Sequence, residues 1–260
     1  MTQLANGHRF ADIPGTGRGT PETTWRKWLA AEQFPLLATG DCDRLIVVAP
    51  HPDDEVLGAG TIIASAAAAG IPVLIVAVTD GEASHPDSPT LSRAELAVTR
   101  IDESRRAAAL LGVTKAVRLR LPDGAIGQHE ANLVARLVNT IAQAGEPAER
   151  TWVLATWRGD GHPDHEATGR AAASACTATG ARLLEFPVWM WHWARPGDHA
   201  VPWSRVRVHT ASAAEMERKN RAVAEFRSQI HPLSQDPRDA PILPPWVLAR
   251  LTRATETVFW

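Results

Sequence analysis

The stretch Arg44-Leu-Ile-Val-Val-Ala49-Pro50-His51-Pro52-Asp53-Asp54-Glu55 decides how this chain folds. Its first half, Arg44 to Ala49, is an almost unbroken apolar run and reads as a strand buried on both faces, as in a parallel sheet. The segment after it, Val56-Leu-Gly-Ala-Gly-Thr-Ile-Ile-Ala-Ser-Ala-Ala-Ala-Ala69, reads as a helix closed by Gly70. A histidine and two adjacent aspartates therefore sit where the carboxyl end of a strand turns into a helix. Open α/β sheets bind their ligands there. Charge at such a place is costly to desolvate unless something pairs with it, so the trio points to a site.

A second unit repeats the arrangement. Thr151-Trp-Val-Leu-Ala-Thr-Trp157 is strand-like and runs into Arg158-Gly-Asp160-Gly-His162-Pro163-Asp164-His165-Glu166. Ala167 to Cys176 then reads as a helix. His51, Asp54 and His165 together offer two imidazoles and one carboxylate. That is the ligand count of a catalytic zinc site, with the fourth position left to water.

His51-Pro-Asp-Asp54-Glu55, Gly161-His-Pro-Asp-His165 and Val78-Thr-Asp-Gly-Glu82, in this order and spacing, resemble the PIG-L (LmbE-like) deacetylases. The resemblance runs from residue 44 to 232. It implies a zinc-dependent enzyme that removes N-acyl groups from amino sugars. One Zn²⁺ per chain is then held by His51, Asp54 and His165. Asp53 acts as general base, and His162 donates a hydrogen bond or proton to the oxyanion or the leaving amine. The implied partner is a small N-acylated amino sugar or glycoconjugate. Arg100-Ile-Asp-Glu103 up to Leu111-Gly112 resembles a further family segment, in which Arg100 reaches substrate and Glu103 orients the site. A solvated i,i+3 ion pair is the competing reading. Lys219 with Ser228-Gln229 resembles the family's C-terminal segment. Asp164 is placed to fix a histidine tautomer, and Glu55 and Glu166 favour helix N-termini. One departure stands out. Some relatives carry a tyrosine two residues before the motif histidine, whereas this chain has Asp160 there and no tyrosine anywhere. The oxyanion is then left to zinc and His162, or to another group.

Composition narrows the class. The 260 residues suffice for one α/β domain. The expected organisation is a glycine-bearing tail or strap over residues 1–20 and a single domain over 21–260. A net charge of −2 leaves no electrostatic footprint for nucleic acid. No run is apolar enough to span a membrane, and residues 1–20 lack the apolar centre of a signal peptide. Cys42 and Cys176 argue against a disulfide framework and fit a reducing, cytoplasmic compartment.

The rest of the chain alternates strands and helices. Residues 21–32 read as a helix capped by Thr20, with Trp25, Trp28 and Leu29 on one face. Residues 71–79 form a second buried strand. It ends at Asp80, which either braces the ligands or shapes the turn into Gly81. His85-Pro86-Asp87 is followed by Ser88 where a ligand is needed, so it reads as a loop beside the pocket. Residues 91–111 form a helix, and 116–121 a third strand. That strand leads to Asp123, a pocket wall or a turn former. Residues 130–144 form an amphipathic helix. Residues 182–193 read as a strand that puts Trp189, Trp191 and Trp193 on one face. Such a row packs a core or stacks on a sugar ring. Trp191 and Trp193 are the rim candidates because they adjoin the loop at 194–202. Residues 206–210 read as an edge strand and 213–230 as one helix. Residues 231–245, with five prolines, read as a strap or lid. The fold class is therefore α/β: a Rossmann-like, doubly wound, mostly parallel sheet flanked by helices.

Three competing functions touch the same residues. Gly58-Ala-Gly60 starts a dinucleotide fingerprint, but Ile63 stands where its third glycine belongs, and the aspartates crowd a phosphate. The second is a sugar-binding protein with an inert metal site. The third is an amidase acting on a thiol conjugate.

Overall fold

The computed structural model describes residues 7–12, 17–145 and 147–260. The expectation of a tail covers residues 1–6 and 13–16, which lie outside the described residues. One sheet is built from β1 (Arg44–Ala49), β2 (Val73–Ala77), β3 (Ala116–Arg118), β4 (Thr151–Thr156), β5 (Arg182–Phe186), β6 (Val206–Thr210) and β7 (Thr255–Phe259). The strand order is β3-β2-β1-β4-β5-β7-β6. β1 to β5 run parallel, while β7 is antiparallel to both β5 and β6. The chain winds outward from β1 in one direction and from β4 in the other. Its switch point therefore lies between β1 and β4, which pair Leu45 with Trp152 and Val48 with Ala155.

The helices are α1 (Gly7–Asp12), α2 (Glu22–Leu29), α3 (Asp54–Ala68), α4 (Arg93–Leu110), α5 (Glu130–Gln143), α6 (Pro163–Thr179), α7 (Met190–Trp193), α8 (Ala213–Val223), α9 (Arg227–Ile230) and α10 (Pro245–Leu251). Alternate residues of the central strands feed two cores. Leu45, Val47, Trp152 and Leu154 join α3, α7 and α8 on one face. Ile46, Val48, Val153 and Ala155 join α5 and α6 on the other. Each fully buried aliphatic side chain contributes about 1.5–3 kcal/mol relative to exposure. That is why these runs read as buried strands.

Several boundaries differ from expectation. Residues 189–193 are not a strand, because α7 forms there. The Asp160 carboxylate accepts from the backbone N–H groups of Val188, Trp189 and Met190, which turns the chain into a helix. The helix expected over 213–230 is two, α8 and α9, with Phe226 between them at φ −78°, ψ 53°. Glu103 holds Ser228 N–H at 2.8 Å and so fixes the second piece. Thr20 does not cap α2. Its hydroxyl donates to Ala194 O at 2.6 Å, and Pro21 occupies the cap position. The third strand is regular over Ala116 to Arg118, and Leu119 N–H and Leu121 N–H continue the bonding to Ala77 O and Val78 O.

Candidate metal centre and active site

The loops after β1 and β4 meet at the switch point. Thr79 Oγ1 donates to Pro50 O at 2.8 Å, and Arg100 Nη2 donates to Pro52 O at 2.7 Å. These bonds clamp the turn from β2 and α4. Within it Asp53 sits at φ 130°, ψ −32°, a conformation that costs an L-residue on the order of 1–3 kcal/mol. The strain sends the adjacent carboxylates in different directions. Asp53 faces Arg100 Nη2 at 3.2 Å, whereas Asp54 faces His51 and His165.

The two imidazoles converge on one oxygen. His51 Nδ1 lies 3.1 Å and His165 Nε2 3.2 Å from Asp54 Oδ2. The opposite nitrogens are each fixed by carboxylate. His51 Nε2 lies 3.1 Å from Asp123 Oδ1 and 3.3 Å from Asp164 Oδ2, and His165 Nδ1 lies 2.8 Å from Asp160 Oδ2. Metal-ligating histidines are oriented in this way. Asp164 is itself fixed by N–H groups of Gly124 and Ile126, and Asp123 by that of Ala83.

These residues fit a metal ion. His165 Nε2 is buried and makes no well-aligned hydrogen bond among the described residues, although Asp54 Oδ2 lies 3.2 Å away. The three candidate ligand atoms lie within 4.8 Å of one another. Burial opposes charge on His51, yet Asp123, Asp164 and Asp54 hold it well above its ordinary value. Burial likewise opposes charge on His165, but Asp54 and Asp160 raise it to about 9. Asp54 is held well below the carboxylate range, because its two imidazoles outweigh its burial. The carboxylates that shift both imidazoles in this direction would equally favour a metal cation among the same atoms.

The cluster opens into a cavity of about 240 Å³. His51, Asp53, Asp54, Arg100, Asp123 and His162 form its polar end, and Leu57, Val188, Trp189, Ile242 and Leu243 its apolar wall. Burial raises Asp53 to about 8 in spite of Arg100. His162 falls to about 3, through burial and then its two histidine neighbours, so its imidazole is neutral. Asp164 N–H donates to His162 Nδ1 at 3.2 Å. The neutral tautomer therefore carries its proton on Nε2.

Other expected residues lie elsewhere. Asp80 pairs with Arg118 at 2.6 Å and does not reach the ligands. Glu103 makes no ion pair with Arg100. It accepts from Ser228 N–H and Oγ–H instead, beside the cavity residue Gln229. Asp160, expected to bind substrate or support the ligands, stands behind the ligands: its carboxylate faces His165 and the start of α7. Trp191 and Trp193 are core rather than rim, at 5% and 4% exposure. Trp191 packs edge-on against Trp25, and Trp193 Nε1 donates to Asp160 O. Trp189 is the member of the row that lines the cavity. His85 is buried and bonds Ala240 O at 3.1 Å, holding the proline-rich strap.

Sequence reasoning missed Phe10. Its ring lies 5.1 Å from Trp189 and 5.8 Å from His162, and the neighbouring Arg9 is fastened to Asp198 at 2.7 Å. Nothing local marks residues 7–12 as part of the site. Ile242 and Leu243 were foreshadowed only by the prolines around them.

Known proteins resemble this chain to differing extents. The diacetylchitobiose deacetylase of Thermococcus kodakarensis is 29% identical over 140 residues, which cover 54% of this chain and 51% of that protein. The chain spans about half the length of the curated relatives it matches. A structure of the zinc-inhibited form of teicoplanin deacetylase superposes with a TM-score of 0.56 at 24% identity, covering 72% of this chain and 85% of that one. The 4-carboxy-2-hydroxymuconate hydratase of Pseudomonas putida also superposes, with a TM-score of 0.56 at 20% identity, over 72% and 80% of the two chains. The fold alone therefore does not set the reaction. The family model described as PIG-L, GlcNAc-PI de-N-acetylase, matches residues 46–176, which hold both histidine motifs, and the chain belongs to that family.

Proposed function

We propose that this chain is a zinc-dependent hydrolase that removes an N-acyl group, acetyl being the simplest, from an amino sugar or a glycoconjugate carrying one. The observation that carries the reading is that Asp53 and a neutral, Nε2-protonated His162 line the same cavity as His51 and Asp54, whose ligand atoms lie within 4.8 Å of that of His165. The family description and the relative's name support the amide of an N-acetyl sugar as substrate.

His51, Asp54 and His165 would hold one zinc ion, which would supply Lewis acidity to a carbonyl and lower the pKa of water toward ~7. The side chains do the rest. Asp53 takes a proton from water as the water oxygen bonds to the acyl carbon. It returns that proton to the amine nitrogen as the C–N bond breaks. Burial raises the Asp53 carboxyl while Arg100 opposes the shift, and a carboxyl raised toward neutrality can both take and return a proton. His162 donates its Nε2–H to the carbonyl oxygen as negative charge builds there. Arg100 steers Asp53 and, with Asp123, faces the space open to sugar hydroxyls. Leu57, Val188 and Trp189 offer an apolar surface to the acyl group or a ring face. The free, buried Cys42 and Cys176 suit a reducing compartment such as the cytoplasm.

The test is acetate release by the zinc-loaded chain across free N-acetylated sugars and sugars linked to larger aglycones. Release from at least one class, abolished in Asp53→Asn, is expected. Release that persists undiminished in Asp53→Asn refutes the assignment of roles.

A further inference from the structure

Helix α3, whose first residue is Asp54, is broken at Ala59, which sits at φ −143°, ψ 15°. In a continuous helix Thr61 N–H donates to Leu57 O. Here an ion pair from distant elements stands between them. Lys219 Nζ, from α8, donates to Leu57 O at 2.9 Å. Glu256, from β7, accepts from Thr61 N–H and Ile62 N–H, each at 2.9 Å. The two side chains close the bridge with Nζ–Oε1 at 2.6 Å. Lys219 is 0% and Glu256 4% exposed. The local sequence makes room for the insertion. A Cβ on Gly60 would meet Lys219 Cγ at 3.1 Å, and one on Gly58 would lie 2.1 Å from the Phe186 ring.

A side chain inserted into the i→i−4 ladder is a recognised cause of a sharp helix break. This insertion separates the turn Asp54–Gly58 from the rest of α3 and gives that turn its own carboxyl-end cap. The separated turn carries Asp54, follows Asp53 directly, and projects Leu57 into the cavity. Its direction is therefore set by residues of α8 and β7, outside the family match at 46–176. A buried ion pair is weak evidence of a contribution to stability, since apolar replacements of similar volume are often tolerated. Here the pair meets three backbone groups at the break, which points to geometry.

We propose that Lys219 and Glu256 are positioning residues: by prying open the Leu57–Thr61 bond of α3 they aim the turn that carries Asp54 and Asp53 at the metal centre. The inference rests on the reading of Asp54 as a metal ligand. Removing the pair jointly leaves no unpaired buried charge and lets the Leu57–Thr61 bond close, so the turn swings away while the helix persists.

The experiment measures zinc affinity by competition with a chromophoric chelator, together with melting temperature, for the full chain and for Lys219→Met/Glu256→Leu. The double variant is expected to stay folded while its zinc affinity falls about 10-fold or more, the range seen when supports of metal ligands are removed. Its kcat should fall with KM little changed. A folded double variant with wild-type zinc affinity overturns the proposal. If the double variant does not fold, Glu256→Gln, which keeps shape and one acceptor, decides by the same titration: weakened zinc binding in a folded protein supports the proposal, and wild-type binding overturns it. A wild-type chain that binds no zinc refutes the ligand assignment instead, so the two failures are distinguishable.

Discussion

Asp160 Oδ2 lies 2.8 Å from His165 Nδ1, and the same carboxylate accepts from the backbone of Val188, Trp189 and Met190. One fully buried side chain thus orients a candidate metal ligand and starts the short helix that delivers Trp189 to the cavity. Metal geometry and cavity shape are joined at that residue. Asp160→Asn keeps its size but replaces one acceptor oxygen with a donor. It should weaken zinc binding about 10- to 100-fold and lower the melting temperature. A chelator titration of the folded variant checks this, and unchanged affinity would show that His165 is oriented without Asp160.

Asp53→Asn and His162→Ala separate chemistry from metal binding. Each should keep its zinc and lose kcat by on the order of 10²–10⁴. Loss of zinc in Asp53→Asn would make Asp53 a ligand and remove it from the role of base.

The tryptophans divide into two kinds. Trp191→Ala opens a hole beside Trp25 and should cost about 3–5 kcal/mol of stability with KM unchanged in the protein that remains folded. Trp189→Ala and Phe10→Ala alter the cavity wall and the ring behind it. Both should raise KM more than they lower kcat. Equal KM values for all three variants would place substrate elsewhere.

His85 supplies a pH-dependent contribution. Burial, and then Arg100, lower its pKa below 6.5, although Ala240 O opposes the shift. The unfolded chain therefore binds the extra proton first as the pH drops. The stability contributed by neutral His85 is present above pH 6.5 and is lost as the pH falls through the lowered folded value. Wild type should lose more melting temperature than His85→Gln between neutral and mildly acid pH, and zinc content should be equal in the two. Parallel melting curves across that interval count against this role.

What could be read from the sequence followed from local pattern. The apolar runs of β1 and β4 and the two histidine motifs after them placed His51, Asp53, Asp54, His162 and His165 together, because a parallel sheet brings adjacent strand ends to one edge. The misreadings share a cause in long-range contact. Over residues 189–193, period 2 and a single helical turn are hard to tell apart, and the carboxylate that settles it belongs to Asp160 in another loop. Asp160 occupies the position where some relatives carry a tyrosine, and its carboxylate supports His165 and the start of α7. Phe10 and Leu243 reach the site through tertiary packing, which no periodicity encodes. The insertion of Lys219 and Glu256 into α3 joins segments more than a hundred and fifty residues apart.

The central claim is that His51, Asp54 and His165 form one zinc site. Elemental analysis of the purified, zinc-equilibrated chain beside His165→Ala tests it most directly. The account predicts about one zinc per wild-type chain and almost none in the variant. Full zinc occupancy in His165→Ala, or a wild-type chain that retains none, contradicts it.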